Sequence, residues 1–482
     1  MAKMKKKYRR ISWWKPLLGV AIVLALCGGS VAWYKFFREE PQPPFASEAK
    51  RFMYGSLGAE NDRGLPYWVW LVLPRMFPEH LPGPGGYKSL GMVWEPGEEL
   101  PAGFSKKTIG FPRVANNCAA CHTASVRTAE NAVTQFYPAG PAHTSNVQGY
   151  FRFLFAVAHD PRFNADDIMR EIALVYDLPW FDRVLYRYII IPFTKKALLK
   201  QEQQLAWMNR PSIPDWGPGR DDPMNLTKYF MTELPYDNST GNADFPSIWN
   251  LQARAGQSLN WDGATPSPRS VIIDSALGLG ARPGAPFLQR MQELEGWLST
   301  LAPPPYPYPV NKPLAATGKR MYAEYCAECH EPGQARAGKV IPIEEIATDR
   351  ERLDTWTQAG ADAANAKVKS MGIDRIPMVK TNGYVGAPLD GLWLRAPYLH
   401  NGSVPNLHDL LEPQAKRTQV FYRGYDVYDP KNVGFITQGE AAQREGWRFD
   451  TAVRGNGNQG HRYGTDLSAF KKAALLEYLK TL

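Results

Sequence analysis

Cysteine is scarce: the chain has five in 482 residues. Four of them fall in two pairs that start 208 positions apart. A zinc ribbon, whose Cys pairs lie about 15–20 residues apart, is excluded by that spacing. No βαβ pattern surrounds either pair, which argues against a thioredoxin-type site. An excess of charge is also missing from the body. Of the formal net charge of +9, residues 1–40 carry +7. The basic isoelectric point therefore reports the N-terminus and not a nucleic-acid surface, and no nucleic-acid partner is expected. No methionine follows Met378, and between Gly263 and Gly284 there is no glutamate, Asp274 being the sole acid. Both absences bear on the chemistry considered below.

The two pairs are Cys118-Ala-Ala-Cys121-His122 and Cys326-Ala-Glu-Cys329-His330. Cys-x-x-Cys-His is the attachment sequence of c-type haem: each thiol bonds a vinyl group of the porphyrin and the histidine becomes an axial ligand of the iron. A disulfide inside each pair would leave both histidines unexplained. The doubled motif predicts two covalently bound c-type haems. Calcium is open as a further ion, but no residues speak for it. The 15 Trp, 23 Tyr and 21 Phe suit haem pockets and an ordinary large core equally well.

Residues 1–15 carry seven Lys/Arg, and residues 16–34 carry no charge. Nineteen uncharged residues are enough to cross a bilayer, and the basic flank should stay in the cytoplasm. The rival reading is a signal peptide cleaved after Ser30-Val31-Ala32. Cys27 reads as a small residue of this segment. Either way the body is exported, to the periplasmic side of a bacterial inner membrane, in keeping with haem attachment outside the cytoplasm.

Residues 1–40 thus form an anchor or signal, and 41–105 a Pro- and Gly-rich covering segment. A first haem domain at 106–301 is followed by a stiff Pro-rich linker at 302–315. The second haem domain spans 316–482. Apolar residues over 150–157 and 184–193 predict core helices around the first haem. Phe287, Met291, Leu294, Leu298 and Leu301 recur at helical spacing, as do Leu467, Phe470, Ala474, Tyr478 and Leu482. These closing stretches look alike, as an internal repeat would. Gly318 and Tyr322, ahead of the second motif, complete the helix pair that frames a small cytochrome c. The expected fold is mainly α: two cytochrome c-like domains, long loops and an N-terminal transmembrane helix.

Eight histidines are present, and six lie outside the motifs. The sixth iron ligand decides function, since two strong ligands give an electron-transfer haem and a vacant site admits O2 or peroxide. His400, His461 and Met378 are candidates at haem 2, and His143 at haem 1.

The doubled motif, Trp261-Asp-Gly263 and Leu389-Asp-Gly-Leu-Trp-Leu-Arg-Ala-Pro-Tyr-Leu-His-Asn-Gly-Ser-Val-Pro405 resemble the bacterial di-haem cytochrome c peroxidase superfamily. The closest likeness is to the rubber-oxygenase-like di-haem cytochromes, over residues 106–482. The peroxidase pattern would put a methionine ligand where Gln414 stands, and a catalytic glutamate about twenty residues beyond Trp-Asp-Gly, where none occurs. In the oxygenase type the ligand is a late histidine, a position His461 matches. The resemblance implies His330 and His461 as axial ligands, His400 being the second choice, and an open far side at haem 1. It also implies Trp261 as an aromatic between the haems, although a buried Trp often only packs. The function expected is that of an exported di-haem cytochrome passing electrons through haem 2 to haem 1, with a periplasmic redox partner. The alternative is an oxygenase or peroxidase acting on an apolar organic substrate or H2O2.

Overall fold

The computed structural model describes residues 14–482. The basic residues up to Arg10 lie outside that range. Helix α1 (Trp14–Phe36) buries none of its residues. It is the one described helix long and apolar enough to cross a membrane. At about 1.5 Å per residue its 23 residues reach roughly the thickness of a bilayer core.

The body corrects the mainly-α expectation. Among the described residues it is a mixed fold, 45% helical, with one three-stranded and five two-stranded sheets. No strand among the described residues exceeds six residues. Hydrophobic periodicity reveals helices of ten residues or more, whereas strands this short leave almost no alternation to read.

The chain preceding the first motif holds α2 (Glu48–Tyr54) and α3 (Tyr67–Met76), then the hairpin Phe104–Ile109/Phe111–Asn116. Next come α4 (Val147–His159) and a continuous helical rod made of α5 (Trp180–Leu185), a π turn (Tyr186–Ile190) and α6 (Ile191–Gln204). The run at 184–193, expected as core, is helical but buries only one side. Leu185, Tyr186, Ile190 and Ile191 point inward, while Val184, Tyr188, Ile189 and Phe193 are exposed.

The closing helices are α7 (Ala285–Thr300) and α9 (Ala469–Leu479), and α8 (Lys312–Tyr325) leads into the second motif. Side-chain caps start α8 and α9: Asn311 accepts from Leu314 N, and Ser468 from Lys471 N. Residues 302–309 carry no helix or strand but are not free. Pro304 O accepts from Trp393 Nε1 (2.8 Å), and Tyr306 donates to Pro430 O (3.0 Å).

Helices α8 and α9 cross at Gly318, where a Cβ would overlap the Ala474 carbonyl; one turn on, Tyr322 meets Tyr478 at 5.1 Å. Helix α7 packs against α2 through Phe52 and Trp297, 5.2 Å apart. Residues from 41–105 therefore share a core with Cys118 and α7. A strand leads into the first motif and a helix into the second, so the two halves differ in how the chain enters its motif.

Gly318→Val should lower unfolding stability by about 1–3 kcal/mol through overpacking. Gly296, on α7 with open space around it, should gain about 0.5–1 kcal/mol on change to Ala. Denaturant midpoints of the two variants measure the contrast.

Candidate functional site

Both Cys-x-x-Cys-His motifs fold as the same turn. Cys121 N and His122 N donate to Cys118 O (3.2 and 3.1 Å), and Cys329 N and His330 N donate to Cys326 O at the same distances. All four thiols are free and partly buried. Burial pushes Cys118 and Cys326 up to about 12. Asn117 anchors the first turn by accepting from Ala119 N and donating to Met53 O and Gly55 O.

The motif histidines are oriented alike. His122 Nδ1 lies 2.8 Å from Pro246 O, and His330 Nδ1 lies 2.7 Å from Ala387 O. A carbonyl only accepts, so each Nδ1 carries the proton and each Nε2 keeps its lone pair. Burial holds His122 down at about 4 and lowers His330 as well, the carbonyl bonds opposing this in part. Both rings are neutral donors at neutral pH.

His461 faces His330, with ring centroids 6.3 Å apart and planes at 47°. Burial first, then the neighbouring His330 and Arg417, push it down to about 3. Its Nδ1 is buried without a partner. The loop that presents it has no ladder of its own. Arg417, buried, donates to Asn458 O (2.6 Å), Gly460 O (2.9 Å) and His461 O (3.2 Å). Asn401 donates to Gly455 O and Gly457 O, and Ser403 to Gly457 O. The Pro-Tyr-Leu-His-Asn-Gly-Ser turn thus supports the His461 loop through Asn401 and Ser403, one and three residues after its histidine. His400 itself stacks on Tyr384 at 4.0 Å, buried, with Nε2 unpaired. Met378 packs in a separate cluster with Met224 and Trp356. Arg417 escaped the sequence reading; a lone arginine in a loop carries no periodic signal.

His143 is buried against Phe435 at 3.7 Å, and neither of its ring nitrogens has a partner. The ring beside His122 is that of Phe245, at 6.4 Å.

Trp261 links the segments that hold the two motif histidines. Its Nε1 donates to Asp244 O (2.9 Å), two residues before Pro246, and its carbonyl accepts from Val385 N (2.9 Å), two residues before Ala387. Asp262 pairs with Arg352 at 3.4 Å, both buried. Gly263 has φ +74° and lies against Val340, where a Cβ would clash. Asp244 N donates to His400 O (2.8 Å), and its carboxylate meets the fully buried Arg423. Burial still raises Asp244 to about 6, Arg423 offsetting part of the shift. Two nitrogens of Arg352 and one of Arg423 are buried without a hydrogen bond.

A family model described as RoxA-like, cytochrome c-like matches residues 383–422, the stretch that contains Ala387, the His400 turn and Arg417. The chain is 31% identical over 218 residues to the uncharacterized protein y4iM of Sinorhizobium fredii, covering 40% of this chain and 49% of that protein. It is 30% identical over 256 residues to y4iJ of the same organism, covering 39% and 42%. The chain thus spans about half the length, or less, of the curated relatives it matches. A cytochrome c-like domain implies a c-type haem with iron. The second motif fits that group: two free thiols, an imidazole with a free Nε2, and a second neutral imidazole facing it. Two metal–nitrogen bonds of about 2 Å plus two ring radii bridge a gap of this size.

Burial pushes His143 down to about 3 from 6.5. The unfolded chain takes up a proton there below about pH 6.5 while the folded chain does not. Stability from this group is complete above pH 6.5 and falls as pH drops toward 3, by up to about 1.4 kcal/mol per pH unit. His143→Phe should flatten the decline in urea-unfolding free energy between pH 6.5 and 4.

Proposed function

We propose that the chain is an exported di-haem c-type cytochrome that carries electrons from a periplasmic donor, with one haem at each Cys-x-x-Cys-His motif. Each group, when bound, would supply an iron that takes up and returns one electron and, where the protein provides no second ligand, would react with O2 or peroxide. The observation that carries the reading is the pairing of His330 with His461, two neutral imidazoles 6.3 Å apart. In this reading Cys326, Cys329, His330 and His461 hold haem 2, and Cys118, Cys121 and His122 hold haem 1. Arg417 keeps the His461 loop in place. Trp261, bonded toward both histidine-bearing segments, shortens the path between the two sites. Arg352 and Arg423 offer buried, partly unpaired guanidinium groups to carboxylate charge, such as that of propionates.

A second reading, that of an oxidant-activating enzyme of the rubber-oxygenase-like kind, is supported at haem 1. Among the described residues, the ring against His122 is that of Phe245, at 6.4 Å, and not an imidazole. The absence of a glutamate between Gly263 and Gly284 disfavours peroxide cleavage by a carboxylate acid–base. An apolar organic substrate suits this reading better than H2O2.

Low-temperature EPR of the oxidised protein, with carbon monoxide added to the reduced form, tests both readings. The expected result is one low-spin bis-imidazole site and one site that binds carbon monoxide. In His461→Ala the low-spin signal should be lost and a second site should bind carbon monoxide. Two low-spin sites refusing carbon monoxide in the wild-type protein would leave the electron carrier and remove the enzyme. Arg417→Leu should populate the His461→Ala spectrum in part, because the loop loses its backbone clamp while His461 remains.

A further inference from the structure

The rod formed by α5, the π turn and α6 leaves an apolar face uncovered. Trp180, Tyr188 and Phe193 are 74%, 69% and 70% exposed, and Val184 and Ile189 lie among them. The inward side of the same rod is sealed by Leu185, Tyr186, Ile190 and Leu198. Trp180, Val184 and Tyr188 recur every four residues, so they share one side of the rod. Leu174, 71% exposed, stands just after the short helix Ala165–Ala173, which packs against the π turn. Exposed aromatic and branched side chains recurring along one rod in this way mark an interaction surface.

What covers the patch is indicated by where it sits. The last turn of α1 is fastened to the start of the rod. Lys35 Nζ pairs with Asp182 at 2.5 Å and lies over the Phe181 ring at 5.5 Å. Phe36 meets Phe111 at 6.4 Å, and Phe111 meets Tyr186 at 6.0 Å. The same end of α1 carries exposed Trp33, Tyr34 and Phe37, while Trp14 stands at the other end. Trp and Tyr at both ends of an apolar helix sit at the two membrane–water interfaces. The rod therefore begins at the level of an interface. Lys196 and Lys200 are exposed farther along it, suited to the phosphates of anionic lipid.

We propose that the face of Trp180, Val184, Tyr188, Ile189 and Phe193 seats in the headgroup layer of a lipid bilayer beside α1. The proposal rests on reading α1 as a membrane span. The body is then held against the membrane at two places and does not swing on residues 37–47.

Photo-crosslinking in the full-length holoprotein, reconstituted in vesicles of phosphatidylethanolamine and phosphatidylglycerol, tests the two readings separately. Benzoylphenylalanine is placed in three variants, Tyr188→benzoylphenylalanine, Leu24→benzoylphenylalanine in α1, and Val133→benzoylphenylalanine on an exposed loop as control. Lipid adducts are read by mass spectrometry. The expected result is adducts at positions 24 and 188, each about tenfold above position 133, as hydrocarbon contact requires. Adducts at 24 with none at 188 overturn the seating face and leave the span standing. Protein–protein dimers at 188 in place of lipid adducts overturn it in favour of a second copy of the chain. Adducts at 188 alone support the face and remove the span. Adducts at neither position remove both.

Discussion

Everything at the candidate site depends on two hydrogen bonds from imidazole to backbone carbonyl. Pro246 O and Ala387 O each take the Nδ1 proton of a motif histidine and leave Nε2 with its lone pair. Such a bond orients the ring only as well as the carbonyl is itself held. Pro246 and Ala387 lie in irregular chain, so their placement comes from tertiary contacts. Trp261 supplies a shared brace. Its indole N–H binds two residues before Pro246, and its carbonyl receives an N–H two residues before Ala387. One tryptophan thereby couples the alignment of both histidines, whatever part its ring takes in electron flow.

Irregular backbone must find hydrogen-bond partners among side chains, because no ladder provides them. That requirement explains the buried arginines. Arg417 satisfies three carbonyls around His461, and Arg220 satisfies Trp216 O while reaching Asn456 Oδ1 at 2.7 Å. Arg423 and Arg352 pair with Asp244 and Asp262. Guanidinium groups suit the task, offering five N–H donors in a planar fork while remaining charged. Removing one partner of such a buried pair strands a charge, so these residues bind the Trp261, His400 and His461 segments into one unit.

The exposed rod and helix α1 belong to a second, separate arrangement at the other end of the hairpin region. The aromatic contacts Phe36–Phe111–Tyr186 and the Lys35–Asp182 pair join the apolar N-terminal helix directly to the body. A helix with no buried residue has no reason to persist in water unless its apolar surface is covered. Its exit geometry then decides which face of the body meets the same environment.

The sequence by itself determined the local chemistry. Cys-x-x-Cys-His names its cofactor through a cysteine and a histidine three and four positions after the first cysteine, and the closing helices at Ala285–Thr300 and Ala469–Leu479 announced themselves by period. The apolar character of residues 16–34 was equally plain, because composition alone carries it. Tertiary structure decided what lies between distant segments. That His461 faces His330 while His400 stacks on Tyr384 depends on loops pinned by Arg417, Asn401 and Ser403, none of which has a periodic signal. The short hairpins that make the fold mixed were hidden, since pairing energy resides in partners far along the chain. Residues 184–193 show the limit most clearly: an apolar helical run reads the same whether its second face meets protein or something else, and only the packed molecule shows that face uncovered.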